Sequence, residues 1–134
     1  MMRRTRQHEA GFTLMELIIV MSIISILAAL AVPRFTAAIK SAHEAVLRED
    51  LRVMRTAIDS YTMDKQKAPQ SLDDLLNDGY LRSIPEDPMT HSRDTWVPDS
   101  SDAYSSVDQT EPGITDVHSG SQEIGSDNRS YSEW

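Results

Sequence analysis

Between Phe12 and Val32 the chain reads FTLMELIIVMSIISILAALAV, 21 residues with a single charged side chain, Glu16. No other segment restricts the fold as much. As a helix rising about 1.5 Å per residue, it is long enough to cross the hydrocarbon core of a bilayer. Arg3, Arg4 and Arg6 precede it against one acid, Glu9. By the positive-inside rule this basic flank stays cytoplasmic and the C-terminal part is exported. Two simpler accounts of the run exist. One is a secretory signal peptide cut near Ala28-Ala29-Leu30-Ala31. The other is a plain signal anchor. Neither accounts for Glu16, which costs about 2.5–3.5 kcal/mol on insertion scales. Its partner must be the chain's own terminus, another protein or another copy. A cut after Gly11 would make Phe12 a free α-amine. The amine of one copy could then pair with Glu16 of the next, because opposite charges attract strongly where the dielectric is low. Such a pair would fix the axial register of neighbouring helices.

The helical pattern continues past the run, with Pro33 expected to kink or locally unwind it rather than end it. Phe35, Ile39, Ala42 and Val46, then Leu47, Leu51, Met54, Ile58 and Tyr61, recur at steps of three and four residues, an amphipathic stripe. The other face carries Lys40, Glu44, Arg48, Arg52, Arg55 and Asp59, with Glu44 and Arg48 at a favourable i,i+4 spacing. From Phe12 to Met63 such a helix is about 78 Å long. Lys65–Pro69 breaks it. Ser71 then reads as the N-cap of a short helix through Leu76, and Asn77-Asp78-Gly79 as a turn. Ile84-Pro85-Glu86-Asp87-Pro88 is a rigid loop. Beyond it the strand candidates are Asp94–Val97, Ala103–Val107, Ile114–His118 and Ser130–Trp134. Tyr104, Ile114, Val117, Tyr131 and Trp134 are placed for a small sheet to bury on the long helix, although 99–127 approaches the composition of a disordered segment.

The chain has 134 residues, no cysteine and a formal charge of −8. Disulfides and thiolate metal sites are therefore excluded, and the small globular core must find support in a metal or in other subunits. Eleven acids against two arginines lie between Glu86 and Trp134. This acidic balance argues against nucleic acid as a partner. The acids read either as a solvated surface or, in part, as a calcium loop using Asp116, Ser119, Ser121, Glu123 and Asp127. Asp116, His118 and Ser119 sit too close in sequence to form a catalytic triad, whose members converge from separated positions, and no enzymatic activity is expected.

The segment Gly11-Phe12-Thr13-Leu14-Met15-Glu16-Leu17-Ile18, followed by a long apolar helix containing Pro33, resembles the class III signal of type IV pilin-like proteins. A looser pattern of Tyr61, Asp64, Pro69, Leu72, Leu75, Gly79-Tyr80-Leu81, Pro85 and Asp87-Pro88 is similar to that of the major pseudopilin, the G-type subunit of type II secretion systems. The pattern departs at Met89-Thr90, where the family has Trp-Gly. The resemblance implies an α+β, pilin-like fold: a basic leader over 1–11, a membrane and filament-core helix over 12–33, and a periplasmic domain over 34–134, with the long helix packed on a small antiparallel sheet. It implies cleavage between Gly11 and Phe12 by a prepilin peptidase, N-methylation of Phe12, and assembly through Glu16 and Pro33 into a homo-oligomeric helical filament. Minor pseudopilins and an inner-membrane assembly platform are its implied partners. The family's calcium loop, carried over, falls on Asp116, Ser119, Ser121 and Asp127, although the paired glycines and double aspartate of its common form are missing here. Two other readings remain: a type IV pilin of a surface fibre, and a membrane-anchored ligand-binding module that never polymerises.

Overall fold

The computed structural model describes residues 11–100 and 112–134. The leader residues Arg3, Arg4, Arg6 and Glu9 and the strand candidate Ala103–Val107, with Tyr104, lie outside them. The elements are α1 (Leu14–Lys65), α2 (Leu72–Asn77), β1 (Val97–Ser100), β2 (Ile114–His118) and a 3₁₀ turn at Tyr131–Glu133. A long N-terminal helix and a small antiparallel sheet make the fold α+β, as the resemblance implies.

Thr13 opens α1. Its hydroxyl accepts the Glu16 N–H at 3.1 Å, and its carbonyl accepts the Leu17 N–H at 3.2 Å, which satisfies donors that every helix start leaves open. The helix runs through Pro33 without ending. Pro33 brings no N–H, so the Ala29 carbonyl loses its i→i−4 partner. At the far end Gln66 takes a left-handed φ of 55°, a conformation that terminates helices.

The chain divides into two units, one through Ala38 and one from Ile39. In the first, all described residues are exposed, and its 18-residue apolar window is 0% buried. Ser22 and Ser25 spend their hydroxyls on the carbonyls of Ile18 and Met21, each at 2.7 Å.

In the second unit α1 buries Glu44, Leu47, Leu51, Met54, Ala57, Ile58 and Tyr61. The expected stripe is therefore present from Leu47 onward. Its upstream members differ, with Phe35, Ile39 and Val46 exposed at 67%, 42% and 49%. Glu44, expected on the polar face, is instead buried. The core joins these α1 residues to Leu75, Leu81, Trp96, Ile114, Val117, Tyr131 and Trp134. A fully buried aliphatic side chain such as Leu47 or Leu75 contributes about 1.5–3 kcal/mol.

Ser71 caps α2 as the sequence predicts, in a reciprocal capping box with Asp74. Gly79 then turns the chain with φ +80°, a value at which a β-carbon would be strained. This delivers Tyr80 edge-on to Tyr61, with ring centroids 5.4 Å apart, and its hydroxyl to Asp64 at 2.9 Å. The Pro69 carbonyl accepts the Ile114 N–H at 2.8 Å. Asp87 is wholly buried. It accepts the Met89 N–H at 2.8 Å and the Ser119 hydroxyl, so no lone buried charge is left unbonded.

β1 and β2 pair antiparallel, with Val97 opposite His118, Pro98 opposite Val117 and Asp99 opposite Asp116, and an irregularity between Asp99 and Ser100. β2 lies where expected. Two other strand candidates are corrected. Asp94–Val97 contributes only Val97, because Trp96 turns into the core and its indole N–H donates to the Pro85 carbonyl at 2.8 Å. Ser130–Trp134 forms the 3₁₀ turn, because the N–H groups of Glu133 and Trp134 return to the carbonyls of Ser130 and Tyr131. Tyr131 and Trp134 still enter the core, but from one turn rather than from alternate strand positions.

Candidate functional site

Gly11, Phe12 and Thr13 precede the first turn of α1. Nothing lies within 4 Å of where a Gly11 β-carbon would sit, and Phe12 is 86% exposed. Non-helical, exposed backbone is the substrate form that peptidases need. Glu16 lies in the first turn of α1, three residues after its capping Thr13. Sequence reasoning assigned this acid only to assembly. The Thr-x-x-Glu spacing is also a capping-box pattern, and a carboxylate there favours the positive end of the helix dipole.

A second site gathers around Glu44, whose side chain is 3% exposed. One carboxylate oxygen accepts the Ser126 N–H at 2.8 Å and the Tyr131 hydroxyl at 2.9 Å. The other accepts the Ser126 hydroxyl. One turn earlier, Lys40 Nζ donates to the Ile124 carbonyl at 3.0 Å. Burial pushes the Glu44 carboxyl up, but the hydroxyls of Ser126 and Tyr131, the Ser126 N–H and the Lys40 charge outweigh it, and its pKa falls below the ordinary value. Tyr131 is pushed the other way, up to about 12, by burial and then by its bond to Glu44. The i,i+4 partner Arg48 reaches Glu44 only at 4.0 Å, and its guanidinium lies 4.2 Å from the centroid of the Trp134 ring.

Arg55 carries the next fastening. Its guanidinium donates to Asp116 Oδ1, to the Val117 carbonyl at 3.1 Å and to the main-chain oxygen of Trp134 at 2.7 Å. His118 Nδ1 lies 2.8 Å from that same Trp134 oxygen. Ser119 bonds Asp87, so Asp116, His118 and Ser119 do not align as a triad. A cleft of about 420 Å³ opens beside these groups, lined in part by Arg48, Arg52, Arg55, Arg129 and Trp134. Three of its arginines are paired with acids outside the lining, Arg52 with Glu49, Arg55 with Asp116 and Arg129 with Asp127.

The calcium ligands implied by the resemblance are committed elsewhere. Asp116 is paired with Arg55. Asp127 accepts the Arg129 N–H and guanidinium, which hold its carboxyl below the ordinary value. Ser119 donates to Asp87, and Ser121 Oγ accepts the Glu123 N–H. Among the described residues no group of three or more His, Cys, Asp or Glu is arranged to hold a metal. A cation needs six to eight converging oxygens, and this donor set does not fit one.

Segment and helix together define a pilin-like protein: an exposed Gly11-Phe12 segment, an apolar helix carrying one acid, and a small α+β domain. The prokaryotic N-terminal methylation motif matches residues 6–32. The chain is 35% identical over 80 residues to competence protein ComGC of Halalkalibacterium halodurans, which spans 60% of this chain and 78% of that one. It is 33% identical over 99 residues to type II secretion system core protein G of Pseudomonas aeruginosa (62% and 70% coverage). With the core protein G of Klebsiella michiganensis it is 30% identical over 134 residues (88% and 87% coverage). No solved structure matches. The chain belongs to this pilin-like family, and within it to the major pseudopilins of the core protein G type.

Proposed function

We propose that this pseudopilin is cut between Gly11 and Phe12 by a prepilin peptidase, methylated on Phe12, and polymerised into a periplasmic filament that drives protein export by type II secretion. The observation that carries the reading is the exposed apolar stretch of α1 through Ala38, with Glu16 its single acid before Arg34. Before assembly this segment anchors the chain in the inner membrane. After extraction only contact with other copies keeps it from water, because exposing that much apolar surface is strongly unfavourable. Glu16 then pairs with the α-amine of a neighbouring Phe12 and sets the axial register. The assembly platform of the inner membrane and the minor pseudopilins are the partners this requires.

The test combines mass spectrometry of the native N-terminus with a Glu16→Ala variant. The reading requires a methylated Phe12 terminus and loss of filaments in the variant, with its membrane level unchanged. An intact Met1, or a cut near Ala31, would sink it. The similarity to a competence protein favours one second reading, a pilin-like fibre acting in DNA uptake. Deleting the gene and scoring export and transformation side by side separates the two.

A further inference from the structure

We propose that Glu44 does in this chain what a bound divalent cation would do, fastening the C-terminal segment Ile124–Tyr131 to α1 without calcium. A loop organised by a cation turns carboxylates and carbonyls inward. Around Glu44 the polarity is reversed, because the Ser126 N–H, the Ser126 O–H and the Tyr131 O–H all point at one buried carboxylate. A cation placed there would meet hydrogen-bond donors. Of the carboxylates that could have served it, Asp116 and Asp127 are turned to Arg55 and Arg129.

The segment is shaped for this anchor. Asn128 takes a left-handed φ of 61°, so that its own N–H reaches the Gly125 carbonyl at 3.2 Å while the Gly125 N–H bonds the Arg129 carbonyl at 2.8 Å. A β-carbon on Gly125 would stand 2.7 Å from the Trp134 ring and 3.1 Å from that of Tyr131. The two rings meet edge to face, with centroids 5.0 Å apart. Lys40 holds the Ile124 carbonyl from the preceding turn of α1, so both ends of the segment are tied to one helix. A buried carboxylate with three donors is strongly bonded, and losing its charge leaves those donors facing a weaker acceptor. The inference does not depend on polymerisation, since every group in it belongs to one chain.

Trp96 and Trp134 are both buried in this domain, so the full chain is unfolded by heat in detergent micelles and followed by tryptophan fluorescence, once in EGTA and once in millimolar calcium. The midpoint should be the same in both, and calorimetric titration with calcium should give no specific heat. Glu44→Gln sets an amide against the Ser126 donors and should lower the midpoint by roughly 10 °C, with Tyr131→Phe giving about half of that. Should the Gln variant not fold, Ser126→Ala and Tyr131→Phe decide the matter, each expected to lower the midpoint without creating a calcium dependence. A midpoint that falls in EGTA and is restored by calcium but not magnesium overturns the proposal. So do unchanged midpoints in the variants.

Discussion

Replacing Arg55 by Met keeps most of the aliphatic stem and removes the guanidinium that binds α1 to β2 and to Trp134. Three bonds are lost, to Asp116, Val117 and Trp134. The side chains of Arg55 and Asp116 are 37% and 40% exposed, so solvent screens their attraction and the pair is worth only about 0.5–1 kcal/mol. Each bond from the cation to a main-chain oxygen adds about 1 kcal/mol. Asp116 keeps the Val117 N–H at 2.7 Å and can take up water, so no buried charge is orphaned and the cost is capped. The expected loss is about 2–3 kcal/mol, or roughly 10–20 °C in the melting midpoint of a domain this size. Urea unfolding of the full chain in detergent, followed by tryptophan fluorescence, should show a lower midpoint at unchanged slope. Arg55→Lys should recover only part of the loss, because an ammonium cannot reproduce the planar fork. A Met variant within about 0.5 kcal/mol of the parent would refute the assignment, since exposed surface changes cost no more than that.

Acid should unfasten the same region. The Glu44 pKa is lowered from an ordinary 4.5, so its contribution is fully present above that value and is lost as pH falls below it toward the folded pKa. Asp50 is raised from 3.8 by burial, then by Asp87 and Glu49, so it costs stability at neutral pH and the cost is relieved as the medium becomes acidic. Glu44→Gln should therefore flatten the decline in midpoint below about pH 4.5, and Asp50→Asn should raise the midpoint at pH 7. Gly120→Ala should destabilise the domain by about 2–4 kcal/mol, since its β-carbon would fall 2.2 Å from the Thr95 carbonyl oxygen; equilibrium unfolding measures it.

What the sequence made legible was set by local chemistry. Ser71 followed by Asp74 is a self-contained capping signal, and Ile114–His118 carries three β-branched residues, Ile114, Thr115 and Val117, of the kind strands favour, so α2 and β2 fall where expected. The class III signal is equally local, which is why Gly11, Phe12 and Glu16 could be read as a unit. Glu44 was not legible. A carboxylate on a periodic helix reads as solvent-facing, and its partners Ser126 and Tyr131 lie more than eighty residues away. Arg55 was misread for the same reason. Tyr131–Trp134 has the aromatic composition of a strand, but the Ser130 side chain accepts the Ser132 N–H and the segment folds into one tight turn. The calcium loop was carried by resemblance, whereas the pairing of Asp116 with Arg55 joins residues 61 apart in the chain and is set by the fold.

The pairing of β1 bears on how the protein fails as well as how it works. All four residues of β1 are exposed, and one of them, Pro98, has no N–H to offer. Next to it, the register slips between Asp99 and Ser100. A strand that is short, interrupted by proline, bent and charged is a poor template for edge-to-edge addition. Domains held side by side at high local concentration in a polymer are under constant temptation to aggregate through such edges. In the proposed filament the β1 edge is blunted against such addition.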